Sequence, residues 1–93
     1  MGVLSGPSSG IISRAPRDVL LFERAKRDLS EITSVERRMV VAQIDQLTMD
    51  ALPHGVEALQ GRFRDHIRLR VGRFRILYKV TDGELTVVSV VAD

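Results

Sequence analysis

The sequence predicts an α+β domain of order β-α-α-β-β-β, with two helices packed on one face of a small, twisted, largely antiparallel sheet. Three observations carry this. A short apolar run, DVLLF, occupies residues 18–22; helical periodicity occupies residues 23–50; strand alternation occupies most of residues 64–91. A chain of 93 residues, 44% hydrophobic and 28% charged, has room for one such domain.

Residues 1–16 hold nine Gly, Ser or Pro residues and no period, so they read as a flexible tail, with Ile11 and Ile12 as its points of contact with a domain spanning 17–93. DVLLF is the first strand, and ERAKRDLSE (23–31) a short polar helix. Thr33 or Ser34 caps a longer helix with Glu36 or Arg37 in its first turn. It runs to about Asp50 and stops before Leu52-Pro53, because the residue before proline is pushed out of helical backbone space. This helix carries two apolar stripes. Val40, Ile44, Leu47 and Ala51 form one, expected to cover the sheet. Val35, Met39, Ala42 and Met49 form the other, expected to meet the first helix in preference to a partner protein. Residues 53–61 read as a loop. Strands follow at 64–71, 73–80 and 84–91, with Asp82-Gly83 suited to a type I′ turn between the last two.

Composition excludes several classes. There is no cysteine, hence no disulfide framework, thiol catalysis or Cys-based zinc site. Two histidines, His54 and His66, are too few for a closed zinc site without several carboxylates, and neither a metal nor another cofactor is expected. No run approaches the ~18 apolar residues of a membrane span, and no secretory signal opens the chain, so the expected location is cytoplasmic.

The net charge is only +2, but it is unevenly spread. Arg62, Arg64, Arg68, Arg70, Arg73 and Arg75 fall between positions 61 and 75 against one acid, Asp65. A local patch of this kind points to a polyanionic partner, and arginine favours planar, bidentate contact with phosphate. A two-residue turn at Val71-Gly72 sets Arg70 against Arg73, Leu69 against Phe74, Arg68 against Arg75 and Ile67 against Ile76. The apolar face then holds Ile67, Leu69, Phe74, Ile76 and Tyr78, and the opposite face gathers Arg68, Arg70, Arg73, Arg75 and Lys79, with His66 at its edge. Like charges opposite one another cost some tenths of a kcal/mol unless an anion lies between them. Running the next hairpin through Asp82-Gly83 pairs Tyr78 with Val87 and Ile76 with Ser89, leaving Val88 and Val90 as an apolar floor beside the arginines. Such a surface suits an anion or a docked partner segment; the competing use is a solvated basic face that blocks edge pairing.

The stretch from Leu59-Gln60-Gly61 through Gly72-Arg73-Phe74-Arg75-Ile76-Leu77-Tyr78 to Thr81-Asp82-Gly83-Glu84, with LLFERAKRDL at the start, resembles the RelE/ParE superfamily of bacterial toxins. The resemblance covers about residues 18–93. It implies a type II toxin, RelE-like, that cleaves mRNA on the ribosome through attack of a ribose 2′-OH on the adjacent phosphate and so inhibits translation. It also implies a cognate antitoxin, bound in a toxin–antitoxin hetero-oligomer. Carried across, the catalytic positions become Arg75, Arg68 and His66, with His66 a candidate general base and Glu57 a weaker one. The remaining basic residues of the patch and face, Arg62, Arg64, Arg70, Arg73 and Lys79, are the expected RNA contacts. The resemblance further implies a basic segment and a tyrosine after the last strand, where this chain reads Val91-Ala92-Asp93. On that ground the present form is expected to cleave RNA poorly or not at all. The alternatives are a ParE-like inhibitor of DNA gyrase and an inactive module that only binds antitoxin.

Overall fold

A computed structural model describes residues 16–93. The expected tail, with Ile11 and Ile12, lies outside the described residues save for Pro16. Two helices pack on one face of a five-stranded sheet of order β1-β5-β4-β3-β2. The elements are β1 (Asp18–Leu21), α1 (Glu23–Ser30), α2 (Ser34–Met49), β2 (Glu57–Ala58), β3 (Ile67–Val71), β4 (Phe74–Val80) and β5 (Glu84–Ala92), with a 3-10 turn at Gly61–Phe63. β1 runs parallel to β5, and every other pair is antiparallel. The two-residue β2 falls inside the expected loop, and β3 starts three residues later than expected because 64–66 follow the 3-10 turn.

α2 begins with a full capping box. Thr33 Oγ1 accepts from Glu36 N–H at 3.1 Å, and Glu36 Oε1 accepts from Thr33 N–H at 3.2 Å, so two otherwise orphaned donors are satisfied. Val40, Ile44 and Leu47 of α2, with Ala25 and Leu29 of α1, bury Leu69, Phe74, Ile76, Tyr78, Leu85, Val87 and Val90 of the sheet. The expected apolar sheet face is therefore the core. Its one polar tip is tied down: Tyr78 Oη donates to Ala51 O at 2.7 Å, joining β4 to the end of α2.

Burial, with some help from Asp50, pushes the Tyr78 phenol up to about 12. A phenol in the unfolded chain titrates near 10. The native state favours the protonated form, so this contribution is complete below pH ~10 and is lost as pH rises from there toward 12. Tyr78 is the only tyrosine in the chain. A spectrophotometric titration should therefore show no tyrosinate until the fold melts or pH nears 12. Ionisation near pH 10 with circular dichroism unchanged would contradict the buried hydrogen bond.

The second stripe of α2 departs from expectation. Val35, Met39 and Met49 are 66%, 39% and 55% exposed, while α1 packs over β5 and meets α2 through Arg37, whose Nε donates to Leu29 O at 2.8 Å. Met39 leans over the β3–β4 turn instead, where a methyl group added at Gly72 would come within 2.9 Å of its Cε.

Both hairpins also differ from the expected pairing. The first turns at Gly72-Arg73, with Val71 opposite Phe74, Arg70 opposite Arg75 and Arg68 opposite Leu77. Gly72 has φ +59°, and this left-handed residue fixes the turn one position later. In the second, Tyr78 pairs with Val87 as expected, but a β-bulge follows and Leu77 pairs with Ser89. The bulge moves Val90 into the core and leaves Ser89 and Val91 on the open face. The connecting turn is not type I′, since Gly83 is not left-handed. Its carbonyl accepts from Asp18 N–H at 3.0 Å, and the Thr81 carbonyl accepts from Arg17 Nε at 2.8 Å.

Candidate functional site: an arginine groove on the open sheet face

The face of the sheet away from the helices holds a cavity of about 310 Å³ lined by Leu59, Phe63, Arg68, Arg75, Leu77, Ser89 and Val91. Strand alternation puts Arg75 and Leu77 there from β4 and Arg68 from β3, and the bulge supplies Ser89 and Val91. The 3-10 turn raises Phe63 as a wall. The apolar floor is thus Leu77 with Val91 and not the expected Val88 and Val90, for the register reason given above. A second hollow adjoins it, lined by Gly55, Glu57, Arg68, Arg70 and Arg75, so Arg68 and Arg75 border both.

Each groove arginine is met by a carboxylate. Glu57 Oε1 accepts from Arg68 Nη2 at 2.6 Å and from Nε at 3.1 Å, across the β2–β3 pair. Asp93 receives Arg75 Nε at 2.6 Å on one oxygen and Arg70 Nη2 at 3.1 Å on the other. The one Arg–Arg pair that forms across the strands, Arg70 with Arg75, therefore has an anion between its members. Asp93 was not singled out in the sequence; the available signal was an acid directly after the last strand.

Of the residues expected to act together, Arg68, Arg70 and Arg75 are brought together. Arg73 is not. It sits in the turn, donates through Nε to Glu36 Oε2 at 2.8 Å and lies 4.6 Å over the Phe74 ring. That arginine, with the cap bond from Thr33, draws the Glu36 carboxyl down to about 2. A carboxylate held below its unfolded value contributes stability above that value, near 4.3, and loses it as pH falls toward 2. The difference in Tm between the wild type and Glu36→Gln should hence shrink steadily from pH 5 to pH 2. A constant difference would show that the Arg73 contact does not act through charge.

Lys79 lies on the same side as Arg75 but further along β4, with Nζ 5.9 Å from the Phe22 ring. Arg62 and Arg64 are exposed on and just after the 3-10 turn, and no ion pair engages either among the described residues. His66 does not line the groove. Its ring meets Phe63 edge-on at 5.3 Å, and its Nδ1 is buried without a hydrogen-bond partner. Among the described residues there is no cluster of His, Asp or Glu able to hold a metal ion, and no helix is long and apolar enough to cross a membrane.

No protein-family model matches this sequence, and no curated protein sequence does. Solved structures do match in fold. A chain of the RelBE2 toxin–antitoxin complex from Mycobacterium tuberculosis superposes with a TM-score of 0.77 at 21% identity, over 87% of this chain and 95% of that one. A chain of the RelE–RelB complex from Pyrococcus horikoshii OT3 gives 0.71 at 20%, over 83% and 94%. The YoeB/ParE toxin from Agrobacterium tumefaciens gives 0.69 at 13%, over 82% and 98%. The chain has the RelE-like fold.

Proposed function

We propose that this protein is the toxin of a type II toxin–antitoxin system, acting as a RelE-like, ribosome-dependent mRNA endoribonuclease. The observation that carries the reading is the groove itself, in which Arg68 and Arg75 converge over an apolar floor beside the exposed ring of Phe63. A single RNA strand needs cations for its phosphates and a flat surface for an unstacked base, and this groove offers both. In the reaction, the ribose 2′-oxygen bonds to phosphorus, its proton passes to a base, and the 5′-oxygen leaves with a proton, giving a 2′,3′-cyclic phosphate and a 5′-hydroxyl. Arg75, on a central strand, suits stabilisation of the phosphorane charge, and Arg68 assists from the adjacent strand. The setting of His66 behind Phe63 supports electrostatic stabilisation by arginine more than proton abstraction by His66. Arg62 and Arg64 suit salt-sensitive contact with ribosome or message.

The partner in this reading is an antitoxin with an acidic or amphipathic segment, supported by the basic face and by the exposed Val35, Met39 and Met49 of α2. Gel filtration of the co-expressed pair tests it; toxin eluting alone at low salt counts against it. In vitro translation tests the activity. Blocked synthesis with cut message supports the endoribonuclease. Intact message with blocked supercoiling by gyrase assigns the protein to the ParE-like alternative, and neither effect leaves a module that only binds antitoxin.

A further inference from the structure

The bulge in β5 does more than reshape the groove floor. Without it, strict alternation from Thr86 would put positions 88, 90 and 92 on the open face and turn Asp93 toward the helices. With one extra residue at Val88, positions 89, 91 and 93 take the open face. Asp93 is fixed there by the ladder, because its backbone N–H donates to Arg73 O at 2.8 Å. Its carboxylate then bridges Arg70 and Arg75, one oxygen to each. Bulges commonly re-aim a side chain next to a functional site, and here the re-aimed group is an anion placed between two cations.

We propose that Arg70 and Arg75 form an oxyanion subsite for a phosphodiester of single-stranded RNA, and that the Asp93 carboxylate is an internal competitor that must be displaced before RNA can enter. The inference rests on the RNA reading of the groove. Three features support it. The two arginines belong to neighbouring strands and face each other across a ladder pair, so the sheet fixes the spacing of their backbones and sends both side chains to the same face. A carboxylate and a phosphate present similar paired oxygens to arginine, so a site that grips one suits the other. Finally, the ion pairs are reachable by solvent, with side-chain exposures of 62% for Arg70, 43% for Arg75 and 30% for Asp93, so exchange of one anion for another needs no unfolding. Pairs this exposed are weak, and a multivalent strand can outcompete them.

The test is binding of a short fluorescein-labelled single-stranded RNA, followed by anisotropy, to the wild type and to Asp93→Asn. The variant keeps the backbone N–H that fixes position 93, and circular dichroism checks its fold. Asp82→Asn is the control: it makes the same change in net charge in the exposed β4–β5 turn. Asp93→Asn should lower Kd by roughly 5-fold at low salt, as expected for removal of an exposed charge pair. Asp82→Asn should change it by less than half as much. Adding Arg70→Ala to Asp93→Asn should abolish the gain, and inorganic phosphate should compete better against Asp93→Asn than against the wild type. Equal tightening by Asp82→Asn, or a gain that survives Arg70→Ala, would overturn the proposal. The assay uses neither ribosome nor gyrase. Tighter binding without message cleavage would thus leave this subsite standing and sink the nuclease reading, and cleavage unaltered in a variant that binds no tighter would do the reverse.

Discussion

In a form of the protein that arrests growth on induction, Arg75→Ala is expected to abolish that arrest and to lower cleavage of ribosome-bound message by about 10²–10³-fold, the usual loss when one donor to a developing oxyanion is removed. The fold should survive. Arg75 is partly exposed, its ion pair with Asp93 lies at the surface, and its removal relieves the one Arg–Arg pair across the strands. Exposed pairs contribute about 0–1 kcal/mol, so the melting temperature should move little in either direction. Arg62→Ala and Arg64→Ala should weaken association in a salt-dependent way and leave single-turnover cleavage nearly intact. A folded Arg75→Ala protein that remains fully toxic would remove the groove from the chemistry and move the gyrase reading ahead.

Leu47→Ala should produce the largest loss of stability. Leu47 is wholly buried in the last turn of α2, within the cluster that includes Ile76, Tyr78 and Leu85. Truncating such a side chain costs about 2–5 kcal/mol, part from lost transfer energy and part from the cavity left behind. Domains of this size have only ~5–15 kcal/mol in total, and each kcal/mol moves Tm by about 4–8 °C. A fall of roughly 10–30 °C in a thermal melt is therefore expected. Met49→Ala, on the same helix but more than half exposed, should cost far less. Similar losses at the two positions would mean that α2 does not face the sheet as described.

The helices, the apolar sheet face and the identity of the groove arginines were legible in the sequence because each rests on a period. Val40, Ile44 and Leu47 repeat at helical spacing, and Leu69, Phe74, Ile76 and Tyr78 at strand spacing, and all are buried. Pairing was harder. Moving the β3–β4 turn from Val71-Gly72 to Gly72-Arg73 keeps every residue from 67 to 70 and from 74 to 78 on its face, so alternation cannot distinguish the two; only the left-handed backbone at Gly72 does. The move takes Arg73 off the open face and onto Glu36. The bulge left no signal, because Val87, Val88, Val90 and Val91 surround Ser89 with equivalent side chains. Both features that complete the groove, the Ser89–Val91 floor and the Asp93 bridge, depend on that one extra residue. The second stripe of α2 is periodic too, but a period states that a face is apolar and not what covers it.

The pairing of β1 with β5 has a consequence for when the molecule becomes itself. β5 lies between β1 and β4 in the sheet, yet among the described elements it is the last to be synthesised. Among the described elements β1 pairs with no other strand, and the Arg17–Thr81 bond that secures its start spans 64 residues of chain. During translation α1 and α2 can form locally, but Leu85, Val87 and Val90 of the core arrive only with β5. The nascent domain should thus stay protease-sensitive until β5 emerges and then fold in a single step. A protein whose target is proposed to be a translating ribosome would in this way stay unassembled on the ribosome that makes it until β5 has emerged.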